Sequence, residues 1–111
     1  MYELINKDVI FQFLGDDPEL IRPMLEMVMN NNLTELDELD SLFDEGNYEE
    51  VRIKVHKAKS AMGYVGASST KKMLQEIEKD VPNIYPQNIT ALKADIEIIK
   101  REISDFLGTL S

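Results

Sequence analysis

The chain contains no cysteine, so disulfides and thiolate metal sites are excluded, a usage that fits a reducing compartment. It contains one histidine, too few imidazoles to make a zinc or iron site without thiolates. Basic side chains are scarce: 12 Lys and Arg stand against 21 Asp and Glu, for a net charge of -9. Nucleic acid needs a basic footprint and an anionic membrane surface attracts one, so both are argued against as partners. The ordinary consequence of such a charge is solubility. No apolar run approaches the roughly 20 residues that a membrane helix requires. The first stretch, MYELINKDVIFQFLGDD, lacks the basic start of a signal peptide. A soluble, cytoplasmic chain is expected. Glycine-rich phosphate loops, nucleotide signatures, period-two alternation, internal repeats and low-complexity tracts are all missing.

What is present is helical periodicity from end to end. With 111 residues, 43% hydrophobic and 30% charged, the chain has the size of one globular domain over residues 1–111. Ile89, Leu92, Ile96, Ile99, Ile103, Phe106 and Leu110 recur in steps of three and four, with Asn88 as the expected N-cap, Gly108 as a fraying point and VPNIYPQN before it as a loop. A short helix is expected near Asn6–Leu14. DDPE then opens a helix with Asp16 as cap, Glu19 closing a capping box and Pro18 where no amide partner is needed. Its stripe reads Leu20, Met24, Met27 and Val28, with Pro23 bending it. Leu33, Leu36, Leu39 and Phe43 continue the pattern, so the spacing admits one imperfect helix over 17–44 or two broken near Asn32, ended by Gly46 and Asn47. Residues 48–65 form the next helix, with Val51, Val55, Ala58, Met62 and Val65 facing the core and Gly66 as its stop. Ser68 or Ser69 caps a further helix carrying Leu74, Ile77 and Val81. Short connections between such helices imply an all-α, antiparallel four-helix bundle with a short extra N-terminal helix.

The lone histidine, His56, lies in VRIKVHKAKSAMGYVGA. It stands about 100° round from the core residue Val55, on a face shared with Arg52, Lys59, Ser60 and Gly63. That face is basic in an otherwise acidic chain, and it narrows to small residues after the histidine. Gly63 inside a helix costs about 1 kcal/mol against alanine, which calls for compensation. The expectation is that missing side chains let a bulky partner approach the imidazole. Ala67 stands eleven positions after His56 and eleven before Glu78, so two antiparallel helices bring these two side chains level. Glu78 then accepts from Nδ1–H and leaves Nε2 as a nucleophile, while Lys59 neutralises an anion placed on it.

These residues resemble the signature of histidine-containing phosphotransfer (HPt) domains. The resemblance rests on His56-x-x-Lys59, Gly66–Ala67, Leu74 and Ile77–Glu78, and extends over DDPEL, the acidic second segment and FDEGNYEEV. It departs from the family pattern at Ser60, where glycine usually follows the lysine, at the AMG stretch, which is often serine-rich, and at Thr70, where leucine is common. The resemblance implies a stand-alone phosphorelay intermediate, to which the starting methionine also points, and no enzyme activity or cofactor of its own. His56 would accept a phosphoryl group on Nε2 from a receiver-domain aspartyl phosphate or a histidine kinase and pass it to a receiver. The partners implied are receiver domains of response regulators and hybrid histidine kinases, which supply the Mg²⁺. Lys59, Ser60, Gly63, Glu78 and Arg52 are the supporting or docking residues.

The methionines Met24, Met27, Met29, Met62 and Met73 are taken as core filler, with some available to line a docking surface. The acidic run ELDELDSLFDEGNYEE fails as a calcium loop, because Glu45 stands where glycine is needed and Leu42 where a ligand is. It reads as a solvated helix face. The alternative function is a helical adaptor that binds receivers or other signalling partners without being phosphorylated. Pairing through the C-terminal stripe is a third reading, though a monomer is expected.

Overall fold

The structure is a computed structural model and describes residues 2–110. Among these there is no strand, and the chain forms an all-α bundle about 44 Å long. The elements are α1 (Lys7–Leu14), α2 (Pro18–Met27), a π-helical turn (Val28–Asn32), α3 (Leu33–Leu36), α4 (Leu39–Asp44), α5 (Tyr48–Tyr64), α6 (Ser68–Lys79) and α7 (Val81–Thr109). At about 1.5 Å per residue the 29 residues of α7 account for the whole length of the bundle.

Side-chain pairs show that neighbouring arms run antiparallel. Arg22, Asp37 and Asp40 ascend the second arm, and their partners Leu107, Lys100 and Lys93 descend α7. Phe43 packs on Tyr48, and Lys54 reaches back to Glu35 and Glu38. The acidic run is therefore not merely a solvated face. Asp40 accepts from the phenol of Tyr85 at 2.6 Å and pairs with Lys93, both of which hold its carboxyl below the usual range.

Residues 18–44 form one nearly continuous helical arm with the π turn inside it. The buried positions are Ile21, Leu25, Val28, Leu33, Leu36 and Leu39. The step from Val28 to Leu33 spans five residues, and a wide π turn is what keeps Leu33 on the inner face after such a step. This overturns the expected stripe: Leu20, Met24 and Met27 are exposed, and the true inward face is displaced round the helix. Of Met24, Met27, Met29, Met62 and Met73, only Met62 is fully buried. The cap also shifts by one, since Asp17, not Asp16, accepts from the Glu19 amide at 2.9 Å.

VPNIYPQN is helix, not loop. Pro82 falls in the first turn, where its missing N–H has no partner to lose, and both Pro82 and Pro86 point to solvent. Val81 and Tyr85 between them are buried, and that packing carries the apolar stripe back to the start of α7. Val81 thus opens α7 rather than ending α6. Asn88 is no cap; its amide donates to the Ile84 carbonyl inside the helix. Neither Ser68 nor Ser69 caps α6, whose N-cap is Ala67 without a side-chain bond.

The C-terminal stripe is spent inside the chain, where Leu92, Ile96, Ile99, Ile103 and Phe106 are buried. Val51, Val55, Ala58, Met62 and Val65 of α5 face them, as the spacing requires.

Candidate functional site

Helix α5 starts at Asn47, whose side chain accepts from the Glu50 amide, and stops at Gly66, which adopts φ +74°. Between them His56 rides on the outer ridge, with its side chain 59% exposed. The turn at 65–67 folds α6 back along α5, and the register puts Glu78 beside the imidazole. His56 Nδ1 lies 2.7 Å from Glu78 Oε1. A carboxylate can only accept, so Nδ1 carries the proton and the neutral ring keeps its lone pair on Nε2. Lys59, one turn on from His56, lies 2.9 Å from Glu78 Oε2, an ion pair without the alignment of a hydrogen bond. Lys59 chiefly, and His56 after it, hold the Glu78 carboxyl below its usual range despite its partial burial.

The structure thus brings together three of the sequence-predicted residues: His56, Lys59 and Glu78. Lys59 is expected to neutralise an anion once one is placed on Nε2, and in the unphosphorylated chain it has Glu78 as its anion. The ammonium sits on the far oxygen of the carboxylate. Arg52 is tied to Glu49 on its own helix and faces Glu78 only at longer range. Ser60 is exposed on the ridge beyond His56. Gly63 does not border empty space: a methyl group placed there would meet Lys71 Nζ at 3.4 Å. The missing side chain therefore seats the Lys71 side chain across the ridge.

Exposed apolar side chains lie on α5 beyond His56, on α1 and on α2, and sequence reasoning missed most of them. Tyr64, two turns beyond His56 on the same face, is 42% exposed and meets Phe13 of α1 edge-on, with ring centroids 5.7 Å apart. Phe13 is 58% exposed. Leu20, Met24 and Met27 form an exposed row on α2, with Leu20 62% exposed. They stand roughly 140–160° round from Arg22. Arg22 donates to the Leu107 and Leu110 carbonyls of α7, so the apolar row lies on the flank away from α7.

An open groove of about 750 Å³ lies elsewhere, between the N-terminal segment and the end of α7, and none of its lining residues belongs to the histidine cluster. Among the described residues no group of acidic or histidine side chains is arranged to hold a metal ion, and no helix is long and apolar enough to cross a membrane.

Comparison with protein families gives a match to the Hpt domain over residues 23–102, well over half of the chain. The chain belongs to the Hpt domain family. Hpt domains are phosphocarriers of two-component signalling and work against receiver domains and kinases. Comparison with curated proteins and with solved structures gives no match. The matched span of this Hpt domain includes His56, Lys59 and Glu78 but begins after Phe13 and Leu20, so part of the apolar surface lies outside it.

Proposed function

We propose that His56 is the phosphoryl acceptor of a phosphorelay intermediate, taking the group from a receiver-domain aspartyl phosphate or a kinase and handing it to a response-regulator receiver. The observation that carries this reading is the 2.7 Å contact between Nδ1 and Glu78 on an otherwise open imidazole. It fixes the proton on one ring nitrogen and aims the other's lone pair at solvent.

In the transfer, the Nε2 lone pair attacks phosphorus, the P–O bond to the receiver aspartate breaks, and the aspartate leaves as a carboxylate. The ring that has given its lone pair becomes cationic and keeps its Nδ1 proton. Glu78 stands against that new charge. The same step places an anionic phosphoryl group on Nε2 and gives Glu78 a cationic partner of its own. Lys59 is then better placed on the phosphoryl oxygens than on Glu78, and moves from one to the other. The return step reverses this: the receiver carboxylate attacks phosphorus, and neutral imidazole leaves.

Positioning and charge are all that this chain contributes, and the receiver supplies the Mg²⁺ and the acidic pocket. No cofactor of its own enters the proposal, nor does nucleic acid or a membrane. The chain acts in the cytoplasm as a monomer. Tyr64 on the histidine helix and Phe13 against it, with the exposed row Leu20, Met24 and Met27 of α2, give the receiver apolar side chains to dock on.

The test mixes the protein with receiver domains and their kinases from the same source, with His56→Gln beside it. Label on the native chain alone, lost in acid and kept in base, is the expected result. Binding to a receiver without label would replace the carrier by the non-phosphorylated adaptor.

A further inference from the structure

Among the described residues Glu102 is the one carboxylate that is almost wholly buried, at 6% exposure. It has no ion-pair partner within 4 Å among the described residues. Its two oxygens accept instead from three successive backbone amides, those of Glu3, Leu4 and Ile5, at 2.6, 3.0 and 3.0 Å. Burial pushes its carboxyl up, and the three amides outweigh that and hold it ionised. A buried charge costs far more than any one hydrogen bond returns, so it takes all three amides to hold it there. What it does is fix the course of residues 3–5.

That course leads to the histidine helix. The Asn6 amide donates to the Val65 carbonyl at 2.9 Å, and the Asn6 side chain caps α1 by accepting from Asp8 and Val9. Gly66 is what lets this junction form, because a methyl group there would sit 2.6 Å from Asn6 Cβ and 3.0 Å from Val9 Cβ. From the junction α1 runs on to Phe13, which meets Tyr64 on the face of His56. Ile10 pins the middle of α1 in the core, and Glu102 sets where α1 begins. Residues 2–14 lie outside the matched Hpt span.

We infer that Glu102 is a positioning residue for partner recognition: by clamping the amides of residues 3–5 it fixes α1, and through α1 it holds Phe13 against Tyr64 as a wall of the surface on which the receiver docks. The inference rests on the carrier reading of His56. It separates two tasks within the chain. The imidazole, Glu78 and Lys59 set the chemistry, and the clamped N-terminal segment selects the partner.

The experiment compares the full chain with Glu102→Gln, Phe13→Ala and the double variant. Two phosphoryl donors are used: the receiver that labels the native chain, and phosphoramidate. With phosphoramidate the Nε2 lone pair attacks phosphorus, the P–N bond breaks and ammonia leaves, so no docking surface is involved. Phe13 is exposed, and its removal leaves the core intact. Glutamine at 102 still offers one oxygen to Leu4 and Ile5 but turns an N–H toward the Glu3 amide. Each single variant should raise KM for the receiver about tenfold, the loss of one anchoring aromatic, with kcat held. The double variant should be no worse than the poorer single one, because both act through the same wall. Phosphoramidate labelling should be unchanged in all three, and amides 3–5 should exchange faster in Glu102→Gln. Multiplying KM effects, an unmoved KM, or slower phosphoramidate labelling of Glu102→Gln would overturn the inference while the carrier reading stands. No label on His56 from either donor would overturn both.

Discussion

Glu78 is the residue on which the proposed chemistry leans most, and replacing it separates orientation from charge. In Glu78→Ala, Nδ1–H loses its acceptor and Lys59 loses its anion. A hydrogen bond to a charged group contributes about 1.5–3 kcal/mol, which would correspond to roughly tenfold to a hundredfold if all of it were realised in the transition state. The ring is more than half exposed, so water partly replaces the lost partner and the lower end applies. We expect transfer from a saturating phosphorylated receiver to slow about tenfold. Glu78→Gln keeps an acceptor for Nδ1–H and loses only the charge, and should stay within about threefold of the native rate, since a neutral hydrogen bond retains about half the strength of a charged one. The assay is single-turnover transfer at saturating receiver, which removes docking from the rate. Nitrogen-15 NMR of the imidazole reports the tautomer in the same samples. In the native chain Nδ1 should be the protonated nitrogen, in Glu78→Gln largely so, and in Glu78→Ala the two tautomers should mix. An Ala variant with native rate and native tautomer would show that the contact neither orients the ring nor supports its charge.

Lys59→Met should leave acceptance by Nε2 within a few-fold but shorten the lifetime of the phosphohistidine, because the phosphoryl group then lacks its counter-charge; an unchanged lifetime removes Lys59 from the phosphorylated site. Gly66→Ala combines a left-handed backbone, about 1–2 kcal/mol for a non-glycine residue, with an overlap on Asn6 and Val9. It should cost about 2–4 kcal/mol in urea unfolding once overpacking is included, and an unmoved midpoint would refute the close approach. Thr70 is fully buried and donates to Asp95 at 2.8 Å, so Thr70→Val should cost about 1–2 kcal/mol by leaving that carboxylate short of a partner. Glu78 and Glu102 both have folded-state values below the ordinary 4.5. The stability each contributes is therefore complete above that value and is lost as pH falls through the lower, folded-state one. The gap in urea midpoint between native chain and Glu102→Gln should narrow as pH falls below 4.5; a gap that does not narrow on acidification would contradict the assignment.

The register of α5 on α6 was open to reading because the turn between them is short and its centre is marked by glycine. Counting eleven residues either way from Ala67 was enough to bring His56 and Glu78 together. The same counting could not say where a flexible ammonium would rest. Lys59 has two anions within reach of the sequence argument, one present in the folded chain and one only after transfer, and the unphosphorylated structure holds the first. The two prolines of VPNIYPQN point to a loop and hide Val81 and Tyr85, although these two lead into Ile89 and continue the stripe of α7 without a break. A proline at the second position of a helix loses nothing, and one exposed four residues later loses a single bond. Tyr85, buried and bonded to Asp40, outweighs that loss.

The exposed row of α2 is harder to read, for a reason that lies in one turn of helix. On α2 two apolar rows compete, Leu20–Met24–Met27 and Ile21–Leu25–Val28, and each has helical spacing. Local periodicity cannot choose between rows that lie side by side. The choice is made downstream, because Leu33, Leu36 and Leu39 must face inward, and the five-residue step from Val28 to Leu33 is met by the π turn. Without that turn, a regular α-helix carried back from Leu33 would bring different residues of α2 to the inner face. The row left outside by this choice then has no core to enter. It joins Phe13 and Tyr64 among the large exposed apolar side chains of a chain whose net charge is -9. The same extra residue that completes the core on one side of α2 thereby leaves on the other side the apolar row through which the proposed carrier would meet its partner.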